Sequence, residues 1–131
     1  MTGEILDFVE TDKPLAAVRE ALLRACAAHK FGVLGAHDLR EKMREKGVEF
    51  DGECVVFEVC NPHQAKRVLE AAPDIATALP CRIAAYRTRE GRTRIATIRP
   101  TALLGLFKAA GLEPVAAEVE STLGAILRES A

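Results

Sequence analysis

The chain has 131 residues, 49% of them hydrophobic and 28% charged, and a formal net charge of −1 at pH 7. That size and mixture suit one globular domain over residues 1–131 and exclude a disordered or collagen-like chain. The near-neutral charge excludes whole-molecule attraction to nucleic acid or to an acidic surface, and no apolar run of about 18 residues is present to cross a bilayer.

A short strand is expected near Ile5 to Val9, followed by Thr11 or Asp12 as a helix cap and Pro14 in the first turn. Leu15, Val18, Leu22, Ala25, Cys26 and His29 recur at helical spacing, which predicts an amphipathic helix over about 13–29. A strand follows from Phe31 to Ala36, then a brief helix capped by Asp38, carrying Leu39 and Met43 and stopped by Gly47. Its mixed charges, Arg40 to Lys46, read as a solvated face. Cys54 to Cys60 is the clearest strand, with Val55, Phe57 and Val59 on one face. Asn61-Pro62 opens a helix to about Ala72, with Ala65, Val68 and Leu69 inward; Pro73 ends it, and Asp74 to Leu79 forms one more turn.

Cys81 to Arg89 and Arg92 to Arg99 flank Glu90-Gly91, a β-hairpin signal. Pro100 and Thr101 open a helix carrying Leu103, Leu104, Leu106 and Phe107, which Gly111 closes. A last helix bears Val115, Val119, Leu123, Ile126 and Leu127 on one stripe. The alternation of strands and helices argues for parallel pairings, while the hairpin requires an antiparallel one. The expectation is an α+β (mixed α/β) fold: a two-layer sandwich with helices packed on a mixed sheet.

The four cysteines, Cys26, Cys54, Cys60 and Cys81, form no CxxC and match no zinc spacing. The first ten residues, with Glu4, Asp7 and Glu10, lack the basic start and apolar stretch of a secretory signal. Reduced thiols in the cytoplasm are therefore expected.

Two short motifs stand out as a candidate ligand or thiol site. In Cys60-Asn61-Pro62-His63 a cysteine directly precedes a helix N-terminus, whose unpaired N–H groups and dipole favour the thiolate. In Pro80-Cys81-Arg82 a cysteine and an arginine open the next strand. If the two strand ends meet, Cys60, Asn61, Cys81 and Arg82 share one edge, where Arg82 can stabilise a thiolate or hold an anion. The competing reading of both motifs is structural: a packed cysteine beside an ordinary cap or strand entry. Cys60, His63 and Cys81 supply three soft donors but no evident fourth, so no metal site is assigned.

The order and spacing of these motifs resemble the bacterial and archaeal family named domain of unknown function 302. The resemblance rests on Val59-Cys60-Asn61-Pro62 and Leu79-Pro80-Cys81-Arg82. It extends to Lys30-Phe31-Gly32-Val33, where Lys30 stands at a position usually Gly, to the helix at Asp38, and to the hairpin with Gly91. It implies a two-layer α/β fold and a homodimer, with no established activity; whether a cofactor is used is left unknown. The segment from Pro100 to Ala131 departs from the family pattern.

The hairpin 82–99 concentrates Arg82, Arg87, Arg89, Arg92, Arg94 and Arg99 around Glu90. Basic strands can contact phosphates, but Tyr86 is the lone aromatic there, and nucleic-acid binding is not expected. These arginines are expected to pair with acids of a neighbouring element or subunit. No Gly-rich phosphate loop, GxSxG or HExxH occurs. Three readings therefore stay open: a small-ligand or thiol-dependent domain, a binder of nucleic acid or an acidic partner, and a structural or regulatory homodimer without site chemistry.

Overall fold

The structure, a computed structural model, describes residues 5–131; Met1 to Glu4, part of the segment read for a secretory signal, lie outside it. Five strands form one sheet: β1 (Leu6–Thr11), β2 (Gly32–Asp38), β3 (Cys54–Cys60), β4 (Cys81–Arg87) and β5 (Thr93–Ile98). Five α-helices accompany them among the described residues: α1 (Leu15–Ala28), α2 (Leu39–Glu45), α3 (Pro62–Ala71), α4 (Pro100–Gly105) and α5 (Leu112–Ser130). A 3-10 helix over Pro73–Ala78 follows α3.

The sheet order is β1-β5-β4-β3-β2, and all four pairings are antiparallel. The α+β class, the two layers and the strands fall where the pattern put them; the parallel pairings do not occur. Helices α2 and α3 lie inside the connections β2–β3 and β3–β4, each joining antiparallel neighbours. A helix between two strands yields a parallel pair only when the chain crosses back along the sheet. Here the one long crossover, α1, carries the chain from one edge strand to the other.

Val55, Phe57 and Val59 of β3, Ile83 and Ala85 of β4 and Ile95 of β5 point to one face and are buried. Helices α1 and α5 cover that face: Leu15, Val18, Leu22 and Cys26 from one, Val115, Val119, Leu123, Ile126 and Leu127 from the other. The strand period of two and the helix period near 3.6 thus meet in one continuous apolar cluster. Thr93 and Thr97 are buried on the same face, and their hydroxyls donate to the carbonyls of Lys13 (2.8 Å) and Arg82 (2.7 Å). Two expected core positions turn outward: Leu69 is 36% exposed on α3, and Leu106, just past α4, is 75% exposed.

Caps follow the sequence with one exception. Asp38 accepts from Glu41 N at 3.1 Å, as a cap should. Thr11, by contrast, accepts from Lys13 N and leaves Pro14 as the N-cap of α1 without a side-chain bond.

Both α1 and α2 end in the same C-terminal motif, in which crossed N–H···O bonds close over a left-handed residue. After α2 this residue is Gly47, at φ 78°, with Val48 N donating to the Met43 carbonyl at 2.9 Å. After α1 it is Lys30, at φ 62°, with Phe31 N donating to the Cys26 carbonyl at 2.8 Å. A Cβ in that conformation crowds the following carbonyl, and glycine avoids the clash. The backbone at Lys30 is therefore one that suits glycine, the residue the resemblance led one to expect there. Lys30→Gly is expected to stabilise the fold by about 0.5–1 kcal/mol, the left-handed strain relieved less the added backbone entropy of glycine. Urea denaturation at neutral pH reads the difference; an unchanged or lowered midpoint would refute it.

Candidate functional site

Strand β3 ends, β4 begins and β5 ends at the same end of the sheet, because Val59 pairs with Cys81 and Ile83 with Thr97. The β3–β4 connection, α3 and the 3-10 helix, arches over this end, and α4 leaves β5 beside it. A cavity of about 100 Å³ lies between them. Its buried wall is apolar: Phe31, Val59, Val68, Leu104 and Val119. Its more exposed wall holds Cys60, Asn61, Cys81 and Arg82, the four residues singled out from sequence. The register of two antiparallel strands thus brings both motifs to one cavity.

Several lining residues carried no readable signal. Gln64 and Ala65 enter because α3 turns that face down. Thr97, Ile98, Pro100, Leu103 and Val119 come from the far end of the chain, and only the β4–β5 pairing and the α4–α5 fold bring them here.

The expected thiolate at Cys60 is not supported by the local geometry. Asn61 Oδ1 accepts from His63 N at 3.0 Å and Gln64 N at 3.1 Å, Ala65 N donates to the Asn61 carbonyl at 2.9 Å, and Pro62 has no N–H. The first-turn donors that would have faced the sulfur are therefore already taken. Burial pushes the Cys60 thiol above its ordinary value. Cys81 is raised too, by burial first and by the neighbouring Cys60, with Arg82 pulling the other way. Arg82 itself faces the Glu58 carboxylate at 3.8 Å. No group of three or more His, Cys, Asp or Glu side chains placed to hold a metal occurs among the described residues.

His29 and His37 sit away from the cavity. His29 meets Glu129 at 2.8 Å, and His37 meets Glu58 at 2.9 Å on the opposite sheet face. Gly35 makes room for that second pair: a Cβ there would lie 2.9 Å from Glu58 Oε1 and 3.2 Å from His37 Nε2.

Four of the six hairpin arginines, Arg82, Arg92, Arg94 and Arg99, face carboxylates of neighbouring elements, and Arg87 donates to the Gly91 carbonyl. Arg92 meets Glu10 at 3.2 Å and Asp12 at 3.0 Å, and Arg94 Nε donates to Glu10 at 2.8 Å while its guanidinium stacks 4.5 Å from the Phe8 ring centroid. Arg99 lies 3.8 Å from Glu120.

The thiols supply a pH-dependent test. Burial raises all four, Cys26 to about 11. A raised thiol pKa means less thiolate at neutral pH, so alkylation accelerates as pH climbs past the ordinary thiol range. Iodoacetamide labelling of native protein, read by peptide mass spectrometry, is expected to modify partly exposed Cys60 faster than buried Cys26 at pH 7. The Cys60 rate should still be rising at pH 9. A plateau below pH 8 would restore a stabilised thiolate, and labelling no faster than Cys26 would leave Cys60 purely structural.

Two comparisons with known proteins agree with this fold and motif order. Residues 8–130 match the profile of "Domain of unknown function DUF302". The chain is similar to a solved protein described as "Crystal structure of uncharacterized conserved protein DUF302 from Bacillus stearothermophilus". The two share 32% sequence identity over 97% of this chain and 98% of that chain, with a TM-score of 0.91. The profile match runs through residue 130, so the segment from Pro100, expected to depart from the family pattern, follows it instead. No curated protein matches the chain. The chain belongs to the DUF302 family, a domain of unknown function.

Proposed function

We propose that this protein is a small-ligand-binding domain whose site is the cavity at the β3 and β4 strand ends. The observation that carries the reading is the cavity itself, an apolar-walled space of about 100 Å³ into which Cys60, Asn61, Cys81 and Arg82 converge. Concave apolar sites with a few polar groups are where small molecules bind. The neutral thiols make Cys60 and Cys81 soft lining groups rather than nucleophiles. Phosphate binding by the hairpin has less support, since Arg92, Arg94 and Arg99 face carboxylates. Four unpaired thiols favour a reducing compartment, the cytoplasm. No helix among the described residues is long and apolar enough to cross a membrane.

A thermal-shift screen of small uncharged and anionic compounds tests the reading, because a ligand bound by the native state alone raises the apparent stability. A ligand at about 100 times its Kd contributes about 2.7 kcal/mol, which moves Tm by a few degrees. Ala65→Leu places a larger side chain in the cavity and is expected to abolish the shift. Shifts that survive Ala65→Leu, or no shift with any compound, would overturn the proposal.

A second reading, a homodimer, is favoured by the sheet face opposite the two long helices. Phe8, Ala96, Ala84, Val56 and His37 stand in one cross-strand row on it. Phe8 is 38% exposed and Ile98 45%. The row is flanked by Glu10 with Arg94 on one side and Glu58 with Arg82 on the other. A two-fold axis along such a row sets apolar against apolar, the self-complementarity an isologous dimer requires. Light scattering at micromolar concentration is expected to give twice the chain mass, and Phe8→Glu to give the monomer mass with unchanged circular dichroism. A monomer mass for the unaltered protein would sink this reading.

A further inference from the structure

Most polar atoms at the cavity are committed. Thr97 Oγ1 donates to the Arg82 carbonyl at 2.7 Å. Asn61 Oδ1 caps α3, and Arg82 faces Glu58 at 3.8 Å. The exception is Gln64, which lines the cavity: its Oε1 is buried and meets no donor among the described residues.

The orientation of that amide is set from outside the cavity. Glu118 of α5 lies beside the Gln64 side chain: Arg67 first, and Gln64 after it, hold the Glu118 carboxyl below its ordinary range, an effect that only the amide nitrogen, a donor, can have. Glu118 is in turn held by two bonds from Arg67, at 3.0 and 2.9 Å. Flipping the amide would set its oxygen against a carboxylate, two acceptors face to face. Gln64 Oε1 is therefore left as an acceptor in an apolar setting, where an unmet hydrogen bond is costly.

We infer that Gln64 Oε1 is the hydrogen-bond anchor of the cavity, and that the ligand class is a small uncharged molecule with an apolar body of about one ring and a hydroxyl or N–H donor. This rests on the reading of the cavity as a ligand site. The size follows from the volume of about 100 Å³. The lack of charge follows from the wall: an anion would set its oxygens against Gln64 Oε1, and a buried cation would find no free carboxylate among the lining residues. The donor follows from the acceptor that waits for it.

Phenol and toluene, which differ by OH against CH3 at nearly equal size, test the inference on the unaltered protein by calorimetric titration. Toluene is the more apolar of the two, so burial alone favours it. The anchor reverses the order: phenol is expected to bind about fivefold or more tightly, the effect of satisfying one buried acceptor. Gln64→Met, apolar and of similar length, is expected to remove the preference. Should Gln64→Met fail to fold, Glu118→Gln, which releases the amide to turn, is expected to narrow it. Toluene binding as tightly as phenol to the unaltered protein overturns the anchor and leaves the cavity reading standing. A phenol preference that persists in Gln64→Met overturns the anchor as well. Neither compound binding overturns both.

Discussion

In the β3–β4 pair, Val59 stands opposite Cys81 and Glu58 opposite Arg82, and the sheet end depends on that register. With side chains alternating across a strand, the pairing sends Val55, Phe57 and Val59 into the core together with Ile83 and Ala85. A slip of one residue would turn all of them to the other face. The same register sets the end of one motif against the start of the other, although α3 and the 3-10 helix separate them along the chain. The cavity is the space that this arch cannot fill. Its wall is completed by α4 and α5, whose own position follows from the β4–β5 hairpin.

An antiparallel sheet can keep one face against a core and leave the other without helices, whereas a parallel sheet needs cover on both. This difference explains why the chain manages with two long helices. It also explains the arginines of the hairpin. Arg94 and Arg82 sit on strands whose neighbours carry Glu10 and Glu58, so part of the charge that looks concentrated along the chain is paired across the sheet. Those exposed pairs add little stability individually. They do organise the open face into an apolar row between charged borders.

The Cys-Asn-Pro segment shows two local rules in competition. A cysteine before a helix N-terminus has access to the positive end of a dipole, which lowers thiol pKa values. An asparagine at the cap position takes the very N–H groups that make this end attractive, and it does so here at 3.0 and 3.1 Å. With those donors spent and the sulfur partly buried, desolvation decides the direction for Cys60. The polar atom left without a partner in this region is one turn further on, at Gln64. A search for reactive residue types passes over it.

Periodicity and caps determined most of the elements from the sequence alone. The stripe of α1, the alternation in β3, the Asn61 and Asp38 caps and the turn at Gly91 are local features, governed by backbone geometry within a few residues. The motif order pointed to the family, and Cys60, Asn61, Cys81 and Arg82 were legible as candidates from their place at element ends. Strand direction was not legible, because a helix between two strands reads the same whether the chain crosses the sheet or folds back beside it. The fate of Lys30 was legible only in part: the resemblance led one to expect glycine there, but the left-handed backbone that suits glycine is visible only in the fold. The cavity belongs wholly to tertiary structure. Phe31, Gln64, Leu104 and Val119 come from four separate stretches of chain. Their meeting rests on long-range strand pairing and helix packing, which no local pattern encodes.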